Sequence, residues 1–231
     1  MIYKIKIEQL IRESSRKHAE QRKEFIMPGG VFVSVIGELF PEVDMLLIIG
    51  KLERLIPPHL FEEVDEIFVG TFSENDDRAL EAHYESGAIY ITSDLPTNMD
   101  YIENIVHETA HSLESARGLE IYGDGRVESE FLGKRKTLKR ILSSERIETS
   151  DLDFKDPEYS EIFDLYLYKK VGYDRLNNLT TGLFVSPYAA TSLREYFANG
   201  FEEFFLGDRE YLKRVSPQLF IKIMEMINNE I

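Results

Sequence analysis

Asp94-Leu95-Pro96-Thr97-Asn98-Met99-Asp100-Tyr101-Ile102-Glu103-Asn104-Ile105-Val106-His107-Glu108-Thr109-Ala110-His111-Ser112-Leu113 is the stretch at which the pattern of this chain changes. Before Pro96 the apolar residues fall in short runs, and after it they recur at helical intervals almost to the end. Thr97 followed three residues later by Asp100 resembles a capping box with Asp in place of the usual Glu. Tyr101, Ile102, Ile105, Val106, Ala110 and Leu113 then step by threes and fours. That spacing predicts an amphipathic helix with one buried face, ending towards Gly118.

Upstream, residues 31–36, 66–72 and 87–93 read as strands, the third bounded by Ser86-Gly87 and by Asp94-Leu95-Pro96. This third strand directly precedes the helix and is placed to form the edge along which an extended peptide lies. Residues 7–25, rich in Gln, Glu, Arg and Lys with apolar points at Leu10, Ile11 and Ala19, read as an exposed helix. Pro28-Gly29-Gly30 follows as a break. Residues 43–55 are ambiguous between helix and buried strand, and Pro57-Pro58 ends them either way. Strands first and helices second predict an α+β fold rather than alternating βαβ units.

The 231 residues suit one domain of two lobes, an N-terminal lobe over about 1–116 and a helical C-terminal lobe over about 117–231. Hydrophobic residues make up 43% and aromatics 12%, enough for a sizeable core. A formal charge of −15 argues against nucleic acid or an anionic membrane surface as partner. With no cysteine, disulfides and thiolate metal sites are excluded, so any zinc is held by nitrogen and oxygen. Residues 1–8 do not read as a secretion signal and no apolar run reaches membrane-spanning length, which makes a cytoplasmic protein the expectation. Oligomeric state is not legible.

Within the predicted helix, His107 and His111 are four residues apart, so both rings fall on one face and reach one ion. Glu108 lies about 100° further round. It is poorly placed as a third ligand but well placed to touch a water on the metal and take its proton. A catalytic zinc takes three protein ligands. The metzincin pattern would put a third histidine six residues after His111, where Arg117 stands. Glu128, Glu130 and Glu195 remain open. The first two begin a basic segment, with Lys134, Arg135, Lys136, Lys139 and Arg140, that reads as a solvated helix face. Glu195 precedes an apolar stripe of Phe197, Phe201 and Phe204, continuous with Leu193, that reads as a buried helix; Ser192 and Glu195 also form a capping box. His18 and His59 read as surface residues, and His83 as an ordinary residue near the third strand.

His107-Glu108-Thr109-Ala110-His111, with Tyr188 seven residues before Glu195-Tyr196-Phe197-Ala198-Asn199-Gly200-Phe201, resembles the catalytic core of the anthrax lethal factor family of gluzincins, which includes the bacterial Pro-Pro endopeptidases. Ser216-Pro217-Gln218-Leu219-Phe220 is similar to the start of that family's closing helix. The likeness covers residues 94–113 and 187–231. It implies a zincin-like fold, with a small twisted sheet, an active-site helix beneath it and a mainly helical C-terminal lobe. It implies Glu195 as the third zinc ligand and Tyr188 as hydrogen-bond donor to the oxyanion. Asn199 departs from the family, which has a second glutamate there; altered hydrogen bonding around the ligands is expected, with the metal site kept. The expected activity is zinc-dependent hydrolysis of peptide bonds in a peptide or protein substrate. The rivals are an inactive binding or structural protein on the same fold, and a toxin-like effector protease that differs only in place and target.

Overall fold

Val33, Ile67 and Ile89 form one row across three neighbouring strands, and Val35, Val69 and Ile91 form the next; all six are buried. These rows are the apolar face of a five-stranded mixed sheet in the computed structural model, which describes residues 22–27, 29–71 and 81–228. The strands are β1 (Arg22–Ile26), β2 (Phe32–Ile36), β3 (Glu66–Gly70), β4 (Ala82–Glu85) and β5 (Ala88–Thr92), in the order β1-β2-β3-β5-β4. β2, β3 and β5 run parallel, and β1 and β4 flank them antiparallel. The chain divides into two compact units, Met1–Glu108 and Thr109–Ile231.

In the first unit the three expected strands form. The ambiguous segment is helix α1 (Met45–Leu55), because Asp44 caps it by accepting from the amides of Leu46 and Leu47. Met45, Ile48, Ile49 and Leu52 are buried at helical spacing. Its start is tied to helix α2 (Asn98–Tyr122) by the Asp44 amide, which donates to Asn98 Oδ1 at 2.7 Å. The Thr97–Asp100 capping box is formed: the Thr97 amide donates to Asp100 Oδ2 at 2.9 Å and the Asp100 amide to Thr97 Oγ1 at 3.3 Å. Tyr101, Ile102, Ile105 and Val106 are buried as the periodicity requires.

Two expectations are corrected here. Residues 22–25 belong to strand β1 and not to an exposed helix; the rest of that segment, residues 7–21, lies outside the described residues, as do His18 and Pro28. β1 is an outer strand with charged, exposed side chains, so it lacks the alternation that marks a half-buried strand. The third predicted strand, β5, is not the edge, because β4 pairs along its far side. A two-residue turn joins them, with Ser86 and Gly87 both at positive φ (50° and 88°), the conformation that lets a tight hairpin follow the strand twist. A Cβ on Gly87 would lie 2.9 Å from Asp65 Oδ2.

The second unit is helical. The rest of α2, kinked at Arg117 beside the expected end, is followed by α3 (Arg126–Ser144), α4 (Glu161–Leu165) with a π-helical turn over Tyr166–Val171, and α5 (Tyr173–Leu179). α6 (Leu193–Leu206), α7 (Arg209–Val215) and α8 (Pro217–Asn228) complete it. On the predicted solvated face of α3, Lys136, Lys139 and Arg140 are exposed as expected, whereas Lys134 and Arg135 are a correction, at only 8% and 1% exposed. Lys134 Nζ donates to the carbonyls of Leu183 and Val215 and to Ser216 Oγ. The Arg135 guanidinium lies 3.8 Å from the centroid of the Phe163 ring and donates to the Asp156 carbonyl. Burial lowers both pKa values, Lys134 to about 8 and Arg135 to about 10. Among the described residues no helix is long and apolar enough to cross a membrane.

Candidate metal centre

Helix α2 carries His107, half-buried, and Glu108 and His111, both buried. One ligand atom from each lies within 4.8 Å of the others, as a four-residue helical step between the imidazoles requires. The helix is fixed locally by its capping box and by its row of buried apolar residues, so these three side chains project from a rigid element.

Glu195 sits in the first turn of α6. Its amide donates to the N-cap Ser192 Oγ at 3.1 Å, so the capping role read from the sequence is real. Its carboxylate is separate from that role: Oε1 lies 3.6 Å from His111 Nε2. That is too long for a hydrogen bond. Donors each ~2.0 Å from a tetrahedral zinc stand ~3.3 Å apart, somewhat less than this separation. Two imidazoles and a carboxylate, with no thiolate, suit zinc as donors, while the ligand atoms that all lie within 4.8 Å of one another are those of His107, Glu108 and His111, without Glu195. Glu130 is occupied elsewhere. Its Oε1 accepts from Tyr196 Oη at 2.8 Å and from the Leu219 amide at 3.2 Å, and its Oε2 from the Gln218 amide at 2.9 Å. Glu128 is half-buried in the first turn of α3.

Around His111 stand residues that the sequence did not single out. Nδ1 is 3.0 Å from Arg194 Nε and 3.4 Å from Glu114 Oε2, and Arg194 Nε is 3.3 Å from the same oxygen. Tyr122 Oη donates to Glu114 Oε1 at 2.6 Å. Burial, with the charge of Glu114 and this hydrogen bond, pushes the Tyr122 phenol far above its usual pKa, so it remains a donor. The signal for Glu114 was present in its position three residues after His111 on the same helix face. Arg194 had no such signal.

Tyr188, half-buried, opens a short 3-10 turn, Tyr188–Ala190, and its ring centroid lies 6.5 Å from that of Tyr173. Tyr173 Oη in turn donates to the buried Asp164 at 3.0 Å. Asn199 ties this turn to α6: its Nδ2 donates to the Glu195 carbonyl at 2.8 Å, and its Oδ1 accepts from Ser186 Oγ. Ser186 Oγ also accepts from the Ala189 amide at 3.1 Å. His83 lies on β4, stacked on Tyr90 with ring centroids 5.0 Å apart, and His59 is half-buried in a 3-10 turn, Pro58–Phe61.

No protein-family model, curated protein or solved structure matches this chain.

Proposed function

We propose that this chain is a zinc-dependent endopeptidase of zincin-like α+β fold, with His107, His111 and Glu195 as the ligands. The observation that carries this reading is the 3.6 Å spacing of Glu195 Oε1 and His111 Nε2, on a histidine that also clusters with His107 and Glu108. When bound, zinc lowers the pKa of water and polarises a carbonyl oxygen.

The chain's own residues do the rest of the chemistry. Glu108 takes the proton of the attacking water and passes it to the leaving nitrogen. Tyr188 donates a hydrogen bond to the oxyanion that develops on the scissile carbonyl. Burial of Glu108, at 7% exposure, limits competing solvent around that proton. A peptide in extended form is the substrate class.

Turnover of a degenerate peptide library by wild type and Glu108→Gln tests the mechanism. The variant is expected to bind zinc as wild type does and to lose about 10²- to 10⁴-fold in rate. Cleavage at the wild-type rate would contradict the role of Glu108. A wild type that binds zinc and cleaves nothing would instead favour a binding protein on this fold.

A further inference from the structure

The geometry points to Glu114 as the residue that positions His111 for the metal, by accepting the imidazole Nδ1–H and so presenting the Nε2 lone pair towards Glu195. This rests on the zinc reading above and names a residue that reading does not use.

A neutral imidazole carries one ring proton, and the two groups at Nδ1 ask for opposite placements of it. Arg194 Nε–H, at 3.0 Å, needs Nδ1 as an acceptor, which puts the proton on Nε2, the nitrogen facing Glu195. Glu114 Oε2, at 3.4 Å, needs Nδ1–H as a donor, which frees Nε2 for an ion. A ligating histidine requires the second arrangement.

The surroundings decide which partner is the fixed one. The Glu114 side chain is 14% exposed and held from its other oxygen by Tyr122 Oη at 2.6 Å. The Arg194 side chain is 53% exposed, and its Nε already lies 3.3 Å from Glu114 Oε2. On ion binding, Arg194 turns onto Glu114 alone, and the ring proton moves from Nε2 to Nδ1 by exchange with solvent. The imidazole stays neutral throughout. Arg194 and Tyr122 then hold the Glu114 carboxylate in place as the acceptor.

Zinc affinity, measured on the full chain by competition against a chromophoric chelator, tests this together with the His111 tautomer read from nitrogen NMR. Glu114→Ala is expected to weaken zinc binding about 10- to 100-fold. Glu114→Gln, whose amide oxygen still accepts from Nδ1–H, is expected to recover most of that loss. Zinc-loaded wild type is expected to carry its proton on Nδ1. Wild-type affinity in Glu114→Ala would overturn the inference and leave the zinc site standing. Absence of zinc binding by wild type would overturn both. If Glu114→Ala does not fold, the tautomer of zinc-loaded wild type decides, and a proton on Nε2 contradicts the inference.

Discussion

Glu130 on α3 and Glu195 on α6 belong to the same unit, and both stood open as the third ligand when only the sequence was read. They differ in the groups that stand around their oxygens. Glu130 takes two backbone amides at the start of α8 and the Tyr196 hydroxyl, so its negative charge complements the helix N-terminus and its lone pairs are used. Glu195 satisfies the helix cap through its own amide, and its carboxylate Oε1 lies 3.6 Å from His111 Nε2. A capping motif and the proposed ligand role are therefore compatible in one residue, because they use different atoms.

That contrast breaks most visibly under a reciprocal pair of substitutions. Glu195→Ala is expected to lower zinc affinity on the order of 1,000-fold, about 4 kcal/mol. Glu130→Ala is expected to leave zinc affinity unchanged and to cost about 2–3 kcal/mol in urea unfolding, since the Gln218 and Leu219 amides and the Tyr196 hydroxyl lose their acceptor. Unchanged zinc affinity in Glu195→Ala would return the ligand role to Glu128. A large loss of zinc affinity in Glu130→Ala would erase the distinction.

A smaller effect sharpens the comparison through pH. Lys134, one turn beyond Glu130, has a folded pKa lowered to about 8 by burial, against 10.5 in its ordinary state. Between these values the unfolded chain binds more protons than the folded one, so stability rises with pH across that window. Below pH 8 the penalty is fully present. Wild type is therefore expected to gain on the order of 2 kcal/mol over Lys134→Met as pH rises from about 8 to about 10.5. Equal pH slopes for the two proteins in urea unfolding would contradict a desolvated Lys134.

What was legible in the sequence was what is local. The capping box of Thr97 and Asp100, the apolar steps through Leu113 and the four-residue spacing of His107 and His111 all lie on one helix, and period alone reveals them. β1 was misread because a charged outer strand has the composition of a solvated helix. β4 was missed although Ser86-Gly87 is a two-residue hairpin signal, because the turn was used only to bound the strand after it. Lys134 and Arg135 were misread because basic residues suggest solvent unless the carbonyls and rings that receive them are known. Glu195 stood beside Glu128 and Glu130 as a candidate until a family resemblance favoured it, and its approach to His111 joins residues 84 positions apart, which no periodicity encodes.

The most direct test is X-ray absorption at the zinc edge of the stoichiometrically loaded wild-type chain. Two imidazoles among nitrogen and oxygen donors at ~2.0–2.1 Å are expected, for His107 and His111 with Glu195 and water. A spectrum with fewer than two imidazoles, or a chain that takes up no stoichiometric zinc, would contradict the account.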